Sequence, residues 1–136
     1  MKRIRIAYNS IVKELKHEVT VVHGDFPACR KGMRCKAIWD TGASDTTVDI
    51  NVIKALGLRR ADRPPRKMNT GNGQRLSYAY HAVIEISKDL PPVRMVVYEM
   101  PPSDVWVLIG MDIISRGRFT VDSTSGETVL TFEPDF

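Results

Sequence analysis

The sequence predicts a mainly β domain, closed into a barrel or a sandwich, and three observations support this prediction. Short apolar or alternating runs recur along most of the 136 residues. Clusters of glycine, proline, asparagine and aspartate separate these runs, as turns separate strands. Only two segments have a helical pattern, and both are short, so strands do not alternate with helices as they do in α/β folds.

Length and charge narrow the classes of protein further. A chain of 136 residues can form one hydrophobic core but not two lobes, so we predict a single domain over residues 1–136. The formal net charge is +4, and basic residues cluster between positions 59 and 67. That cluster lies in a proline-containing loop without interleaved aromatic residues, which favours a solvated face. We therefore expect no nucleic-acid partner.

The sequence contains no apolar stretch that could span a membrane, and no apolar segment follows the charged residues 1–5 as a secretory signal would require. The expected compartment is the cytoplasm, with no membrane partner. Cys29 and Cys35 have no histidine at ligand spacing, which disfavours a zinc site. We expect free thiols, with a hairpin disulfide as the alternative, and no metal or cofactor.

Along the first third of the chain, residues 3–8 alternate polar and apolar side chains as in an edge strand. Residues 9–17 are ambiguous between a helical turn and a strand, residues 18–22 are strand-like, and residues 23–27 break the chain. His23 could act as a catalytic base, but a histidine at a strand end is more often a polar surface residue.

The remainder of the chain gives clearer signals. Asp49 can begin a short helix, and Gly57 can end it. The Gly-Asn-Gly at residues 71–73 lies between extended runs and predicts the tip of a hairpin. The further predictions are an extended run at 76–86, a strand at 93–98, a buried strand at 105–110, a helical turn at 111–115 ended by Gly117, and a hairpin of 118–122 with 128–132.

One stretch combines an apolar strand with chemically useful residues. Residues 37–39 are apolar and lead directly into Asp40-Thr41-Gly42, which places the Asp40 carboxylate at a strand end, in a turn. Gly42 permits a turn that other residues resist, and it would let another chain approach closely. The sequence has no second Asp-Thr-Gly. Residues 122–126 contain an aspartate, a serine and a glycine, but their spacing differs from that of an Asp-Ser-Gly triplet, and they predict a hairpin turn. Taken alone, Asp40 is better explained as a turn-forming or capping aspartate.

A distant stretch, Val107-Leu108-Ile109-Gly110 followed by residues 111–114, resembles the second signature of a known family. The two stretches together are similar to the retropepsin-like family, the retroviral-type, single-lobe aspartic proteases. The resemblance covers about residues 18–132, and residues 1–17 lie outside it. It implies an acid-protease-type closed barrel with one or two short helices, one lobe per chain and a homodimer. The hairpin around residues 71–73 takes the place of the flap that closes over substrate.

The resemblance also implies roles for individual residues. Asp40 would be the catalytic carboxylate, with Thr41 and Gly42 supporting the active site. Ala43 and Ser44, together with Gly71, Asn72 and Gly73 of the flap, would bind substrate. In retroviral relatives an arginine after the second-signature glycine pairs with an aspartate after Asp-Thr-Gly-Ala. Here Met111 and Ser44 occupy those positions, so both members of the pair are absent together.

This resemblance implies an aspartic endopeptidase. Two carboxyl groups close together share one proton, so one can accept a proton from water while the other donates one to the peptide carbonyl. A two-fold homodimer brings each Asp40 to its copy. The expected partners are therefore a second copy of the chain and a peptide or protein substrate. The alternative is a binding or assembly module of the same fold that does not cleave. The final hairpin is longer than the terminal strand of retroviral enzymes, which leaves the manner of dimerisation open.

Overall fold

The computed structural model describes residues 2–70 and 72–136, apart from the side chain of Thr70. The elements in chain order are β1 (Ile4–Ala7), β2 (Lys16–His23), β3 (Gly32–Trp39), β4 (Thr47–Asp49), α1 (Ile50–Leu56), β5 (Arg66–Thr70), β6 (Gly73–Ser77), β7 (Ala79–Glu85), β8 (Val93–Met100), β9 (Val107–Ile109), α2 (Met111–Ile114), β10 (Gly117–Asp122) and β11 (Val129–Pro134).

Six strands close into a barrel in the order β2-β3-β9-β4-β8-β7. A three-stranded sheet, β1-β11-β10, packs beside it, and β5 and β6 form a separate hairpin. The prediction of a mainly β, single-lobe barrel with two short helices is confirmed, and the sandwich alternative is wrong. The predicted strands at both ends of the chain and the hairpin tip between residues 70 and 73 are also confirmed.

The core consists mainly of valine and isoleucine side chains, contributed by the barrel strands, the helices and the three-stranded sheet. Trp39 joins the barrel to the three-stranded sheet, because its ring lies 5.3 Å from that of Phe119 and 5.2 Å from that of Phe132. Aromatic rings at such distances add to the stability that burial alone provides. The end of β3 is therefore held on both sides before the chain reaches Asp40.

Helix α1 has the boundaries that its capping residues predict. The Asp49 carboxylate accepts a hydrogen bond from the N–H of Asn51 at 2.7 Å, which satisfies one unpaired donor of the first turn. Gly57 has φ +62° and ends the helix in the left-handed conformation, which glycine adopts without steric cost.

The structure corrects or completes four local predictions. Residues 9–17, which the sequence left open between a helical turn and a strand, contain no helix, and β2 begins at Lys16. Thr47–Asp49, directly before the predicted helix, is a barrel strand. The extended run 76–86 is interrupted at Tyr78, where the β5-β6 hairpin ends and the barrel strand β7 begins. Gly117 starts β10 rather than ending α2, and it is required because a Cβ there would overlap the backbone carbonyl of Glu133 on the adjacent strand.

The two cysteines are free, Cys35 buried and Cys29 half-buried, as predicted. His23 is buried, and not a surface residue: its Nδ1 accepts the N–H of Asp25 at 3.1 Å, and Nε2 lies 3.2 Å from the Gly57 carbonyl. Of the helices in the described residues, none is long and apolar enough to cross a membrane.

Candidate active site

Asp40 follows directly after β3 and is held by the neighbouring strand. Trp39 pairs with Ile109 of β9 in parallel register, and the N–H of Asp40 donates to the Ile109 carbonyl at 2.8 Å. Asp40 is half-buried. The backbone of Asp40 is therefore fixed by the sheet, while its carboxylate remains partly accessible.

The residues after Asp40 form a tight turn around its carboxylate. The N–H of Gly42 donates to Asp40 Oδ1 at 2.9 Å, and the N–H of Ala43 donates to the Asp40 carbonyl at 3.1 Å. Hydrogen bonds of this kind hold a carboxylate in a fixed orientation. Thr41 and Gly42 are both exposed.

Gly42 does not have the conformational role that its position suggested. Among the described residues, the glycines with positive φ are Gly57, Gly73 and Gly126. A Cβ on Gly42 would meet only Asp40 Oδ1, at 3.2 Å. The missing side chain at Gly42 thus leaves open space next to the carboxylate, and it is not needed for the turn itself.

The second signature packs directly onto the residues after Asp40. The N–H of Met111 donates to the Ala43 carbonyl at 2.7 Å, and the N–H of Asp112 donates to the Ser44 carbonyl at 3.2 Å. A Cβ on Gly110 would lie 2.6 Å from the carbonyl carbon of Asp45. Only glycine allows this close approach of two backbones, so Gly110 is essential to the way the two stretches fit together.

A side-chain network, which the sequence did not reveal, strengthens the same junction. Thr46 is fully buried. Its N–H and hydroxyl both donate to the Asp112 carboxylate, at 2.9 and 2.7 Å. The Thr46 hydroxyl in turn accepts the N–H of Gly110 at 3.1 Å. These bonds replace the absent arginine–aspartate pair with a different connection between the two stretches.

A cleft of about 310 Å³ opens between the Asp40 loop and the β5-β6 hairpin. Its lining includes Ala43 and Ser44 but not Asp40 itself. The described lining residues are Ala43, Ser44, Asp45, Thr47, Arg66, Lys67, Met68, Ser77, Tyr98, Met100 and Leu108. The cleft has an apolar floor with charged groups at one side, a composition typical of ligand-binding clefts.

An ion pair closes that side of the cleft. Arg66 on β5 contacts the Asp45 carboxylate at 2.7 Å, and its guanidinium lies 5.0 Å from the centre of the Tyr98 ring. The sequence assigned Arg66 to a solvated basic face, and this was incomplete. Although still accessible, Arg66 joins the hairpin to the loop that follows Asp40. Arg59 and Arg60 of the same cluster also have partners, Asp25 and the Tyr78 ring.

The base of the hairpin is fixed by Glu99 of β8. The N–H of Tyr78 donates to Glu99 Oε1 at 3.3 Å, and the hydroxyl of Ser77 donates to the Glu99 carbonyl at 2.6 Å. At the tip, Gly73 has φ +104° and Asn72 lies in the turn. Gly71 lies outside the described residues, so its predicted role has no structural test. The hairpin thus has a fixed base and lies over the cleft.

The fold and this junction are those of the retropepsin-like aspartic protease family. The model of the family described as "gag-polyprotein putative aspartyl protease" matches residues 28–116. This match covers Asp40, the hairpin and the second signature, and the chain belongs to that family. None of the curated proteins compared matches the sequence.

Solved structures with the same fold agree with this assignment. A retropepsin-like aspartic protease from Rickettsia conorii has 20% identity and a TM-score of 0.61, over 96% of this chain and 90% of that chain. The EIAV protease in complex with the inhibitor HBY-793 has 19% identity and a TM-score of 0.53, and the match covers 81% of this chain and 92% of that chain. The retroviral protease-like domain of Ddi1 from Leishmania major has 14% identity and a TM-score of 0.52, and the match covers 92% of this chain and 98% of that chain.

Proposed function

We propose that this protein is an aspartic endopeptidase that acts as a homodimer, with one Asp40 from each chain forming the catalytic pair. The observation that carries this proposal is the position of Asp40. The residue is half-buried, its backbone is fixed by β9, its carboxylate accepts a hydrogen bond, and a cleft beside the hairpin begins three residues later. A turn-forming aspartate would need neither the cleft nor the hairpin.

The chemistry requires two carboxyl groups that share one proton. The ionised group accepts a proton from the attacking water, and the protonated group donates its proton to the carbonyl oxygen of the scissile peptide bond. Like charges about 3 Å apart do not both ionise, so the pair holds a single proton over an acidic to near-neutral range. No cofactor or metal is needed for this reaction.

The second carboxyl would come from the partner subunit, because the chain has only one Asp-Thr-Gly. Near a two-fold axis, any residue meets its own copy. The exposure of Thr41 supports this arrangement, since its hydroxyl is accessible to the loop of a second chain. By analogy with the family, Thr41 would bond across the axis and hold the two loops together.

The substrate would be an extended peptide between the Asp40 loop and the hairpin. The cleft next to Ala43 and Ser44 can take an apolar side chain, and exposed Gly42 leaves its backbone open to the peptide. Asn72 and Gly73, with Gly71, would cover the peptide from above. The Arg66 to Asp45 ion pair, already formed in the structure, would hold one side of the cleft closed beside the bound peptide.

The test is proteolysis of an unstructured protein between about pH 4 and about pH 8, the range around the carboxyl and histidine pKa values, with and without pepstatin. Wild type should cleave best on the acid side of neutral, and pepstatin should inhibit it. Asp40→Asn should be inactive but folded, because an amide cannot accept the proton from water. Equal cleavage by the two proteins would refute the role of Asp40. Peptide binding without cleavage would favour a non-cleaving binding module instead.

A further inference from the structure

Glu99 is a buried carboxylate that the proposed chemistry does not use. Its exposed fraction is 7%, and it lies on β8 between Tyr98 and Met100, which both line the cleft. Within residues 2–70 and 72–136, Glu99 forms no ion pair. Burying a charge without an ion pair is costly unless hydrogen bonds compensate it. The charge of Glu99 therefore depends on the hydrogen bonds that its carboxylate accepts.

Both hydrogen-bond donors to this carboxylate lie where the β5-β6 hairpin joins the barrel. The N–H of Tyr78 donates to Glu99 Oε1 at 3.3 Å, and the hydroxyl of Tyr80 donates to Glu99 Oε2 at 3.4 Å. Tyr78 lies between β6 and β7, and Tyr80 is the second residue of β7. One carboxylate oxygen thus holds the end of the hairpin, and the other holds the first turnless stretch of the barrel strand.

A third segment approaches the same tyrosine side chains. Arg60 pairs with Tyr80 in an isolated antiparallel bridge, and its guanidinium lies 3.9 Å from the centre of the Tyr78 ring. Burial and the charge of Glu99 raise the pKa of the Tyr80 hydroxyl, and Arg60 opposes this rise. Arg60 therefore supplies positive charge near the hydroxyl that bonds Glu99. We refer to Arg60, Tyr78, Tyr80 and Glu99 as the Glu99 network.

The Glu99 network is connected to the cleft through the main chain. Neighbouring residues of a strand point to opposite faces, so Glu99 points away from the side on which Tyr98 and Met100 line the cleft. On the hairpin, Ser77 lines the cleft, and the next residue, Tyr78, bonds Glu99. The Ser77 hydroxyl also donates to the main-chain carbonyl of Glu99 at 2.6 Å. A shift of Glu99 would therefore move three residues of the cleft wall.

The carboxylate is not needed merely to join the two strands. The N–H of Glu99 donates to the Tyr78 carbonyl at 3.0 Å, and an apolar side chain at position 99 would leave this bond in place. An apolar side chain would also avoid the cost of a buried charge. What the carboxylate adds is orientation, because hydrogen bonds to a charged group are stronger and more specific in geometry than neutral ones.

We propose that Glu99 and Tyr80 are positioning residues for the peptide substrate. Through the Glu99 network they hold the hairpin, and the cleft wall formed by Ser77, Tyr98 and Met100, in the arrangement that accepts a peptide. Neither side chain contacts the peptide, and both act through the main chain of β8 and of the hairpin. This proposal rests on the proposed function, because the peptide is the substrate of that cleft.

Removing the Tyr80 hydroxyl tests the role by kinetics. Tyr80→Phe keeps the ring but takes one hydrogen bond from the carboxylate, so KM for an unstructured protein should rise about 5-fold, while kcat should change less than about 2-fold. A purely structural loss would reduce the fraction of folded enzyme, which lowers kcat and leaves KM unchanged. Tyr78→Phe is the matched control, because Tyr78 bonds Glu99 through its main chain and not through its hydroxyl.

A conservative variant of Glu99 tests the same role by rescue. Glu99→Gln keeps an oxygen for the Tyr78 N–H and an amide group that can bond the Tyr80 hydroxyl, so its KM should stay within about 2-fold of wild type. Glu99→Leu, which removes both bonds, should raise KM about 10-fold. Hydrogen exchange of the Tyr78 amide should be faster in Glu99→Leu, while that of Val83, within the barrel, should not change.

Two results would overturn the positioning role. One is an equal KM for wild type, Tyr80→Phe and Tyr78→Phe, and the other is a KM for Glu99→Gln as high as that of Glu99→Leu. If wild type binds pepstatin without cleaving protein, the dissociation constant of pepstatin replaces KM and the same pattern is expected. If wild type neither cleaves nor binds pepstatin, the proposed function fails and this proposal fails with it. If wild type cleaves and Tyr80→Phe matches its control, only the positioning role is wrong.

Discussion

The carboxylate of Asp112 accepts two hydrogen bonds from Thr46, one from its N–H at 2.9 Å and one from its hydroxyl at 2.7 Å. These residues are far apart in sequence, and the contact joins helix α2 to the loop that follows Asp40. The same loop forms one wall of the cleft. The bonds therefore connect the stability of the fold to the geometry of the candidate active site.

Removing this carboxylate should destabilise the protein strongly. Asp112→Ala leaves the buried N–H of Thr46 without its acceptor and removes one partner of its hydroxyl, so the free energy of unfolding should fall by about 2–4 kcal/mol. The neighbouring Met111→Ala is the control, because this exposed side chain should change stability by less than about 0.5 kcal/mol. Urea denaturation measures both. A loss for Asp112→Ala as small as that of the control would show that the contact contributes little.

The ion pair between the hairpin and the Asp45 loop should affect substrate more than stability. Both side chains of the pair are partly exposed, so Arg66→Ala should lower the free energy of unfolding by less than about 1 kcal/mol. We expect kcat/KM for a peptide to fall about 3- to 10-fold, because closure over the cleft is weakened. The matched control is Arg75→Ala, an exposed arginine on the other strand of the hairpin. Equal losses in kcat/KM for the two variants would argue against a specific role of Arg66.

His17 should make stability depend on pH. Its Nδ1 accepts the indole N–H of Trp39 at 3.0 Å, and its Nε2 lies 3.3 Å from the carbonyl oxygen of Ile86. These contacts require a neutral ring with its proton on Nε2, because a proton on Nδ1 would face the indole N–H. Burial, assisted by the charge of Arg34, lowers the pKa of His17, and the hydrogen bond with Ile86 opposes this only in part.

A histidine with a lowered pKa in the folded state contributes stability that is fully present above its unfolded pKa, about 6.5. This stability is lost as the pH falls from there through the lowered folded pKa. The difference in unfolding free energy between wild type and His17→Asn should therefore be larger at about pH 7.5 than at about pH 5. The other histidines contribute equally to the pH dependence of unfolding in both proteins, so their contribution cancels in this difference. A difference that grows toward acid pH would contradict the neutral assignment.

The parts of the fold that local signals determine could be predicted from the sequence. Asp49 and Gly57 delimit α1 because capping depends only on residues within one helical turn. Asp40 was placed correctly after its strand, because an apolar run that ends at a turn is visible over a few residues. The hairpin tip near Gly73 was predicted for the same reason.

The parts of the fold that depend on residues far apart in the chain could not be predicted from the sequence. Thr47–Asp49 is a strand because β8 and β9 pair with it on both sides, although its own residues look like helix caps. The break at Tyr78 depends on Glu99, 21 residues away. Asp112 and Arg66 gained their roles only when the barrel brought Thr46 and Asp45 next to them, and no short pattern in the sequence encodes those contacts.

Each active site should contain one Asp40 from each of two chains, and mixing wild type with Asp40→Asn tests this arrangement. After the subunits exchange at constant total protein, an equal mixture contains wild-type pairs in about a quarter of its dimers. We predict that proteolysis falls to about a quarter of the undiluted wild-type rate and follows the square of the wild-type fraction. A rate that falls only to about half, in direct proportion to the wild-type fraction, would show that one Asp40 suffices and would contradict an active site shared between two chains.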